Sequence, residues 1–330
     1  MAVSPDTTGL VFDHTFRRHD PGPGHPESQE RYLALSEALK KAGFLDSLPR
    51  LAPRLALDED IHLVHTRPYL DTVTHDAARH AGTLSTGDTN ICPETPEIAR
   101  LAAGAALSAV DAVFQGQVRN AFAAVRPPGH HATASRGMGF CVFNNAAIAA
   151  RYARKAWGVD RVLIADWDVH HGNGTQDIFY EDPHVFFFSV HQAPWYPGTG
   201  DSSETGAAAG KSTTLNCPFP AGTGRGPILD AFRKKLIPAM DAFRPDFVIL
   251  SAGFDSRRGD PLGRFILSDG DFIELTEITL EIAQKHANNR LISLLEGGYS
   301  PSGLASATIA HLEALSGRVA RRPPPRSSAF

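Results

Sequence analysis

The segment Ile164-Ala-Asp166-Trp-Asp168-Val-His170-His171 holds the residue types best suited to chemistry. It leaves an apolar run, and in extended chain residues two apart share a face. Asp166, Asp168 and His170 therefore project together from a strand end. Such a cluster under cover is uncompensated buried charge unless a cation sits among its members or they satisfy one another by hydrogen bonds. A second apolar run, Phe247-Val-Ile-Leu-Ser-Ala-Gly-Phe, ends in Asp255. Two carboxylates and one imidazole make an open ligand set with room for water and substrate, the pattern of a catalytic rather than a structural zinc site.

Two further segments carry groups that hydrolysis at a metal requires. Arg126-Pro-Pro-Gly-His130-His131 holds adjacent imidazoles on a stiff turn. Breaking an amide needs a base for the water and an acid for the departing amine, and His titrates near neutrality. Taken alone, the pair reads equally as chance surface residues. Glu296-Gly-Gly-Tyr299 places a phenol after two glycines that allow a sharp turn and close approach to a ligand. A Tyr hydroxyl can donate to an oxyanion developing beside a metal. The plain alternative is a half-buried aromatic whose hydroxyl is satisfied elsewhere.

These segments must be positioned by something, and the surrounding pattern is strand and helix in alternation. Strands are expected at Leu10–Asp13, Ala121–Val125, Arg161–Ala165, Val185–Val190, Asp246–Ser251 and Arg290–Leu295, apolar almost throughout, as in strands covered on both faces. Helices are expected at Glu97–Gln115, Asn144–Trp157, Pro227–Phe243, Asp269–His286 and Ser302–Ser316. The class is α/β: a single domain with a mostly parallel multi-stranded sheet and helices on both faces. In such sheets ligands bind at the carboxyl ends of the strands, where most of the polar loops fall. Residues 1–316 are expected to form the catalytic domain and 317–330, containing Arg-Arg-Pro-Pro-Pro-Arg-Ser-Ser, a flexible tail.

Composition narrows the classes. With 330 residues and 42% hydrophobic content the chain can bury a large core, and a net charge of −4 with scattered Lys and Arg leaves no nucleic-acid footprint. The three cysteines, Cys92, Cys141 and Cys217, show no CxxC spacing and read as buried apolar residues in a reducing, cytoplasmic setting. No secretory leader or membrane-length apolar run is apparent.

Together with Gly139-Phe-Cys-Val-Phe-Asn-Asn145, Tyr196-Pro-Gly-Thr-Gly-Asp201, Ser251-Ala-Gly-Phe-Asp255 and Asp166-Trp-Asp-Val-His-His-Gly-Asn-Gly174, these motifs resemble the signature segments of the histone deacetylase family. That family includes acetylpolyamine amidohydrolases and has the arginase–deacetylase fold, and the resemblance runs from about residue 9 to 316. It implies one zinc held by Asp168, His170 and Asp255, with His131 as general base and acid. It implies His130 as the electrostatic partner of His131, bonded to Asp166, and Tyr299 as the phenol that stabilises the tetrahedral intermediate. Gly139, Phe140, Tyr196 and Gly298 match the walls of a narrow acyl channel, and Arg31 an arginine in an internal cavity. An inner potassium site would use Asp166, Ser189 and the carbonyls of Asp168, His170 and Val190.

Two departures bear on substrate. Asn173 stands where the first class of the family has an Asp paired with the catalytic histidine, so the chain looks like class II. An amide can orient the imidazole of His131 but stabilises its cation less than a carboxylate does. Leu262, in Gly259-Asp-Pro-Leu-Gly263, looks like the protein-lysine deacetylases rather than the polyamine-preferring member with its Glu gatekeeper. The expected substrate is thus an acyl-lysine protein or peptide. Acetylated polyamines or other small amines are the alternative, with Glu27 or Asp88 then reading the cation. An arginase-like binuclear enzyme fits less well, because Ser256-Arg257-Arg258 follows Asp255 where a second carboxylate is needed. No nucleic-acid or membrane partner is expected, and a homo-oligomer is left open.

Overall fold

The computed structural model describes residues 7–318; the expected tail lies almost wholly outside them. The six expected apolar runs become strands and a seventh joins them: β1 Thr8–Val11, β2 Asn120–Ala123, β3 Val162–Asp166, β4 Val185–Gln192, β5 Thr214–Phe219, β6 Phe247–Ala252 and β7 Leu291–Leu295. All pairings are parallel, in the order β1-β2-β7-β6-β3-β4-β5. Every residue of every strand except β5 is buried, as a sheet covered on both faces requires. β5 is the edge, and its sequence Thr-Leu-Asn-Cys-Pro-Phe breaks the apolar run with Asn216 and Pro218. A proline without an N–H is tolerated at an edge, which is also why this strand left so weak a trace in the sequence.

The helices are α1 Gln29–Lys41, α2 Arg67–Ala78, α3 Thr95–Phe114, α4 Asn145–Trp157, α5 Asn173–Phe179, α6 Arg225–Asp230, α7 Ile237–Phe243, α8 Asp269–His286 and α9 Pro301–Leu315. The single helix expected over Pro227–Phe243 is divided between α6 and α7 by a π-helical turn at Ala231–Leu236. Pro238 has no N–H to return to the residue four before it, and the Ile237 N–H reaches back five residues to the Phe232 carbonyl. α1 was not singled out in the sequence, although Tyr32, Leu35 and Leu39 form its buried stripe. α1 packs on α9, α9 on α8, and α3 on α4.

Two features of this frame set the site. β3 lies between β4 and β6, so the chain leaves it toward one side first and returns on the other, opening a crevice at the carboxyl ends. α4 is capped by Asn144, whose Oδ1 accepts the Ala147 N–H at 2.9 Å. The same amide donates to the Ala132 carbonyl at 3.1 Å, fastening the helix start to the residue after the paired histidines.

Candidate metal centre and active site

The loop after β3 folds back on its own carboxylates. Asp166 Oδ1 accepts the Asp168 N–H at 3.0 Å, and Asp168 Oδ1 accepts the His170 N–H at 2.9 Å. Asp255, beyond the end of β6, accepts the Val169 N–H at 2.8 Å through Oδ1. Asp168, His170 and Asp255 are all buried, and their potential ligand atoms lie within 4.8 Å of one another. His170 Nδ1 stands 3.0 Å from Asp168 Oδ1 and 3.2 Å from Asp255 Oδ2.

Several observations fit a cation here. Asp255 Oδ2 is buried without a hydrogen-bond partner. Burial and the neighbouring Asp168 push the Asp255 carboxyl up to about 7. The Gly297 N–H closes the back of the site on Asp168 Oδ2 at 2.8 Å. A Cβ at Gly297 would sit 2.1 Å from Asp255 Oδ2 and 2.5 Å from Asp168 Oδ2, so a side chain there would invade the cradle. One open set of two carboxylates and an imidazole is a donor set for a divalent metal.

The paired histidines stand beside it. Glu296 Oε2 accepts the N–H groups of Gly129 and His130 at 2.7 and 3.2 Å, tying the histidine turn to the loop after β7. His130 Nδ1 is 2.9 Å from Asp166 Oδ2. Burial opposes charge on His130, but Asp166 and Asp168 outweigh it and raise its pKa to about 10. His131 Nδ1 meets Asn173 Oδ1 at 2.7 Å, while the Asn173 amide nitrogen turns to Met138 Sδ at 3.5 Å. With Nδ1–H given to the amide oxygen, His131 carries its free Nε2 as a base. Burial and the neighbouring imidazoles of His130 and His170 hold its pKa well below the usual value.

Tyr299 faces the same space. Gly298 at φ 120° reverses the chain before it. The ring packs edge-on against Phe140 at 5.7 Å between centres and lies 6.5 Å from the His170 ring. Burial and the Asp168 carboxylate push the phenol well above its ordinary pKa, so it remains a hydrogen-bond donor.

A cavity of about 320 Å³ opens above these groups, lined by His131, His170 and Tyr299 at its floor and Asp88, Gly139, Phe140, Trp195, Tyr196 and Leu262 above. Gly298 is not among the lining residues; its carbonyl accepts Arg31 Nε at 2.6 Å. Arg31 also donates to the Glu296 carbonyl and to Glu27, each at 2.7 Å. Glu27 is further clasped by Arg126 and His19 and is fully buried, so it faces no substrate. Asp88 does line the mouth, accepting from the Gly139 N–H at 2.8 Å and the Tyr196 hydroxyl at 3.1 Å. Asp166 and Ser189 are register partners on β3 and β4, with the Ser189 hydroxyl 2.9 Å from His191 Nδ1. Val190 follows within β4.

The sequence reading gave no role to Trp195, Glu296 or Asp260. Trp195 had a signal, an aromatic beside Tyr196. Glu296 and Asp260 had none, because each acts on backbone N–H groups far away in the chain.

Comparison with known proteins agrees with this geometry. The profile of the histone deacetylase domain matches residues 25–315. A probable deacetylase of Archaeoglobus fulgidus is 40% identical over 298 residues, covering 90% of this chain and 82% of its own length. A histone deacetylase-like amidohydrolase of Pseudomonas aeruginosa is 40% identical over 306 residues, 92% of this chain and 80% of the relative. The crystal structure of the HDA15 HD domain superposes with a TM-score of 0.90 at 36% identity, over 95% of this chain and 89% of that one. A metal-fitting triad, a base and a phenol on this fold, matched along nearly the whole chain, make the protein a member of the histone deacetylase family of amide hydrolases.

Proposed function

We propose that this protein is a zinc-dependent amidohydrolase that removes acetyl or other acyl groups from the side-chain amine of lysine in proteins or peptides. The observation that carries the reading is the convergence of Asp168, His170 and Asp255 with His131 and Tyr299 at the floor of one apolar-walled cavity. Asp168, His170 and Asp255 would hold one zinc ion, which when bound polarises the amide carbonyl and acidifies the attacking water.

The remaining work belongs to the chain's own groups. Phe140, Tyr196 and Leu262 surround the lysine methylenes and keep bulk water out. His131 Nε2, aimed by the Nδ1 contact with Asn173, takes the proton of the attacking water and returns it to the departing amine. The Tyr299 hydroxyl donates to the carbonyl oxygen as charge gathers on it. His130, bonded to Asp166, holds its neighbour in place. The products are free lysine and a carboxylate.

Leu262 favours the lysine peptide, since a second ammonium entering the channel would find no partner there. Asp88 at the mouth favours the acetylpolyamine alternative, because it offers a carboxylate to such a cation. An arginase-like pair of metals is not supported: among the described residues, the second cluster of metal-capable groups is His130, Cys141 and Glu296, which lacks a carboxylate pair. The inner potassium at Asp166, Asp168, His170, Ser189 and Val190 belongs to the same proposal, as does a cytoplasmic setting, which the three free cysteines fit. Among the described residues no helix is long and apolar enough to cross a membrane.

The test is a purified sample assayed for metal content and for hydrolysis of acyl-lysine peptides and acetylated polyamines side by side. About one zinc per chain with faster turnover of peptides is expected. Two manganese ions with urea formed from arginine would refute the chemistry. Preference for acetylpolyamines would refute the substrate.

A further inference from the structure

Leu262 and Tyr299 come from the loops after different strands, yet one buried side chain holds both. Asp260 Oδ2 accepts the N–H of Tyr299 at 2.6 Å and of Ser300 at 3.1 Å. Its Oδ1 accepts the N–H of Leu262 at 2.9 Å. Three N–H groups on one carboxylate form charge-assisted bonds, the stronger kind. The far side of the segment is fixed as well: the Trp195 indole N–H donates to the Leu262 carbonyl at 2.8 Å, and the Arg264 N–H to Gln192 Oε1 at 2.9 Å. The Tyr299 side chain sits among the Arg31 guanidinium, 5.0 Å from its ring centre, and the rings of Phe140 and His170. Where its hydroxyl points therefore follows from where Asp260 puts its backbone.

We infer that Asp260 is a positioning residue that locks the oxyanion donor Tyr299 and the substrate-facing wall at Leu262 into one body. The spacing between the wall that grips the acylated chain and the phenol that meets its carbonyl is then constant. This rests on the amide-hydrolase reading above. Substitution by Asn leaves one acceptor and turns an NH₂ toward the N–H groups on the other side, so one half of the lock opens.

The test compares wild type, Asp260→Asn, Asp260→Glu, Tyr299→Phe and the double variant Asp260→Asn/Tyr299→Phe on acetyl-lysine and trifluoroacetyl-lysine peptides. Bound metal and Tm are measured on each. Fluorine withdraws electrons and stabilises the oxyanion without help from a phenol, so a misplaced Tyr299 is felt chiefly on the acetyl substrate. Asp260→Asn should lose about 10–100-fold in kcat on acetyl-lysine, part of the 10²–10³-fold span of one oxyanion donor, and far less on trifluoroacetyl-lysine. Its metal content should be unchanged. The double variant should be no worse than Tyr299→Phe alone, because both changes remove the same interaction. Equal losses on both acyl groups, or losses that multiply in the double variant, would overturn the inference. Should Asp260→Asn lose its metal or its fold, Asp260→Glu decides in the same way: it keeps the charge, displaces it by one methylene and should show the same acyl-selective loss. A wild type that hydrolyses neither peptide instead defeats the reading on which the inference rests.

Discussion

At the floor of the cavity, Asp168, His170 and Asp255 leave two adjacent strands, and backbone N–H groups of Val169, His170 and Gly297 hold the carboxylates in place. At the mouth, Asp88, Trp195, Tyr196 and Leu262 come from three separate loops and are held mainly by side-chain contacts. Asp168 and Asp255 are 0% exposed, whereas Tyr196 is 37% exposed. Sheet register fixes the floor, so its geometry is inherited from the core and cannot drift without breaking strand pairing. The mouth is set by contacts that a single substitution can change while the fold survives. Chemistry and selectivity thus occupy different mechanical settings within one cavity.

The largest effect should come from the floor. Asp255→Ala or His170→Ala should abolish both metal binding and turnover, since each removes one ligand of an open three-ligand set. Elemental analysis beside the activity assay checks this, and a variant that keeps its metal would separate ligand from bystander. Next, Tyr299→Phe should keep metal and fold but lose roughly 10²–10³ in kcat on acetyl-lysine. His131→Ala should do at least as much damage, one imidazole serving as both base and acid.

Below the floor lies a core that makes no contact with substrate and should answer to pH alone. His311 is buried between Thr276 and Ser293, and burial pushes its pKa down to about 3. The unfolded chain takes up this proton near pH 6.5, so the contribution of a neutral His311 is complete above that value. It is lost as pH falls from about 6.5 toward 3, at up to about 1.4 kcal/mol per pH unit. Chemical denaturation across this range should show the slope in wild type and a shallower one in His311→Gln.

At the mouth the effects should be smaller and confined to selectivity. Leu262→Glu should shift the ratio of kcat/KM toward acetylated polyamines by a few-fold, the scale of a partly exposed ion pair at up to about 1 kcal/mol. An unchanged ratio would deprive Leu262 of its role and leave Asp88 as the reader of cations. Tyr196→Phe removes one of the two donors to Asp88 and should raise KM a few-fold with kcat intact, the worth of one hydrogen bond at about 1 kcal/mol. A fall in kcat instead would mean that the mouth reaches into the chemistry.

The same division explains what the sequence disclosed. Asp166, Asp168 and His170 alternate along one strand end, and Asp255 closes another apolar run, so period-two spacing alone brought them together. The parallel sheet was legible because fully buried strands are apolar without a break, and β5 escaped because an edge strand can carry Asn216 and Pro218. Asp260 and Glu296 were silent for a different reason. What they bind are main-chain N–H groups 39 or more positions away, and a backbone group has no residue type to betray the pairing. Glu27 misled as a reader of cations, since nothing in Gly-His-Pro-Glu announces that Arg31, Arg126 and His19 enclose it.

Gly297 carries a warning for anyone sorting relatives into active and inactive. A single methyl at that position would occupy the space between Asp168 and Asp255 while leaving every ligand, the base and the phenol untouched. Gly297→Ala should therefore make a folded protein that cannot load its metal, and a descendant bearing it would pass any roll-call of catalytic residues. Such a molecule would have the shape of the enzyme and an intact acyl channel but no reaction, so a functional census of this fold has to count the glycine among the residues that matter.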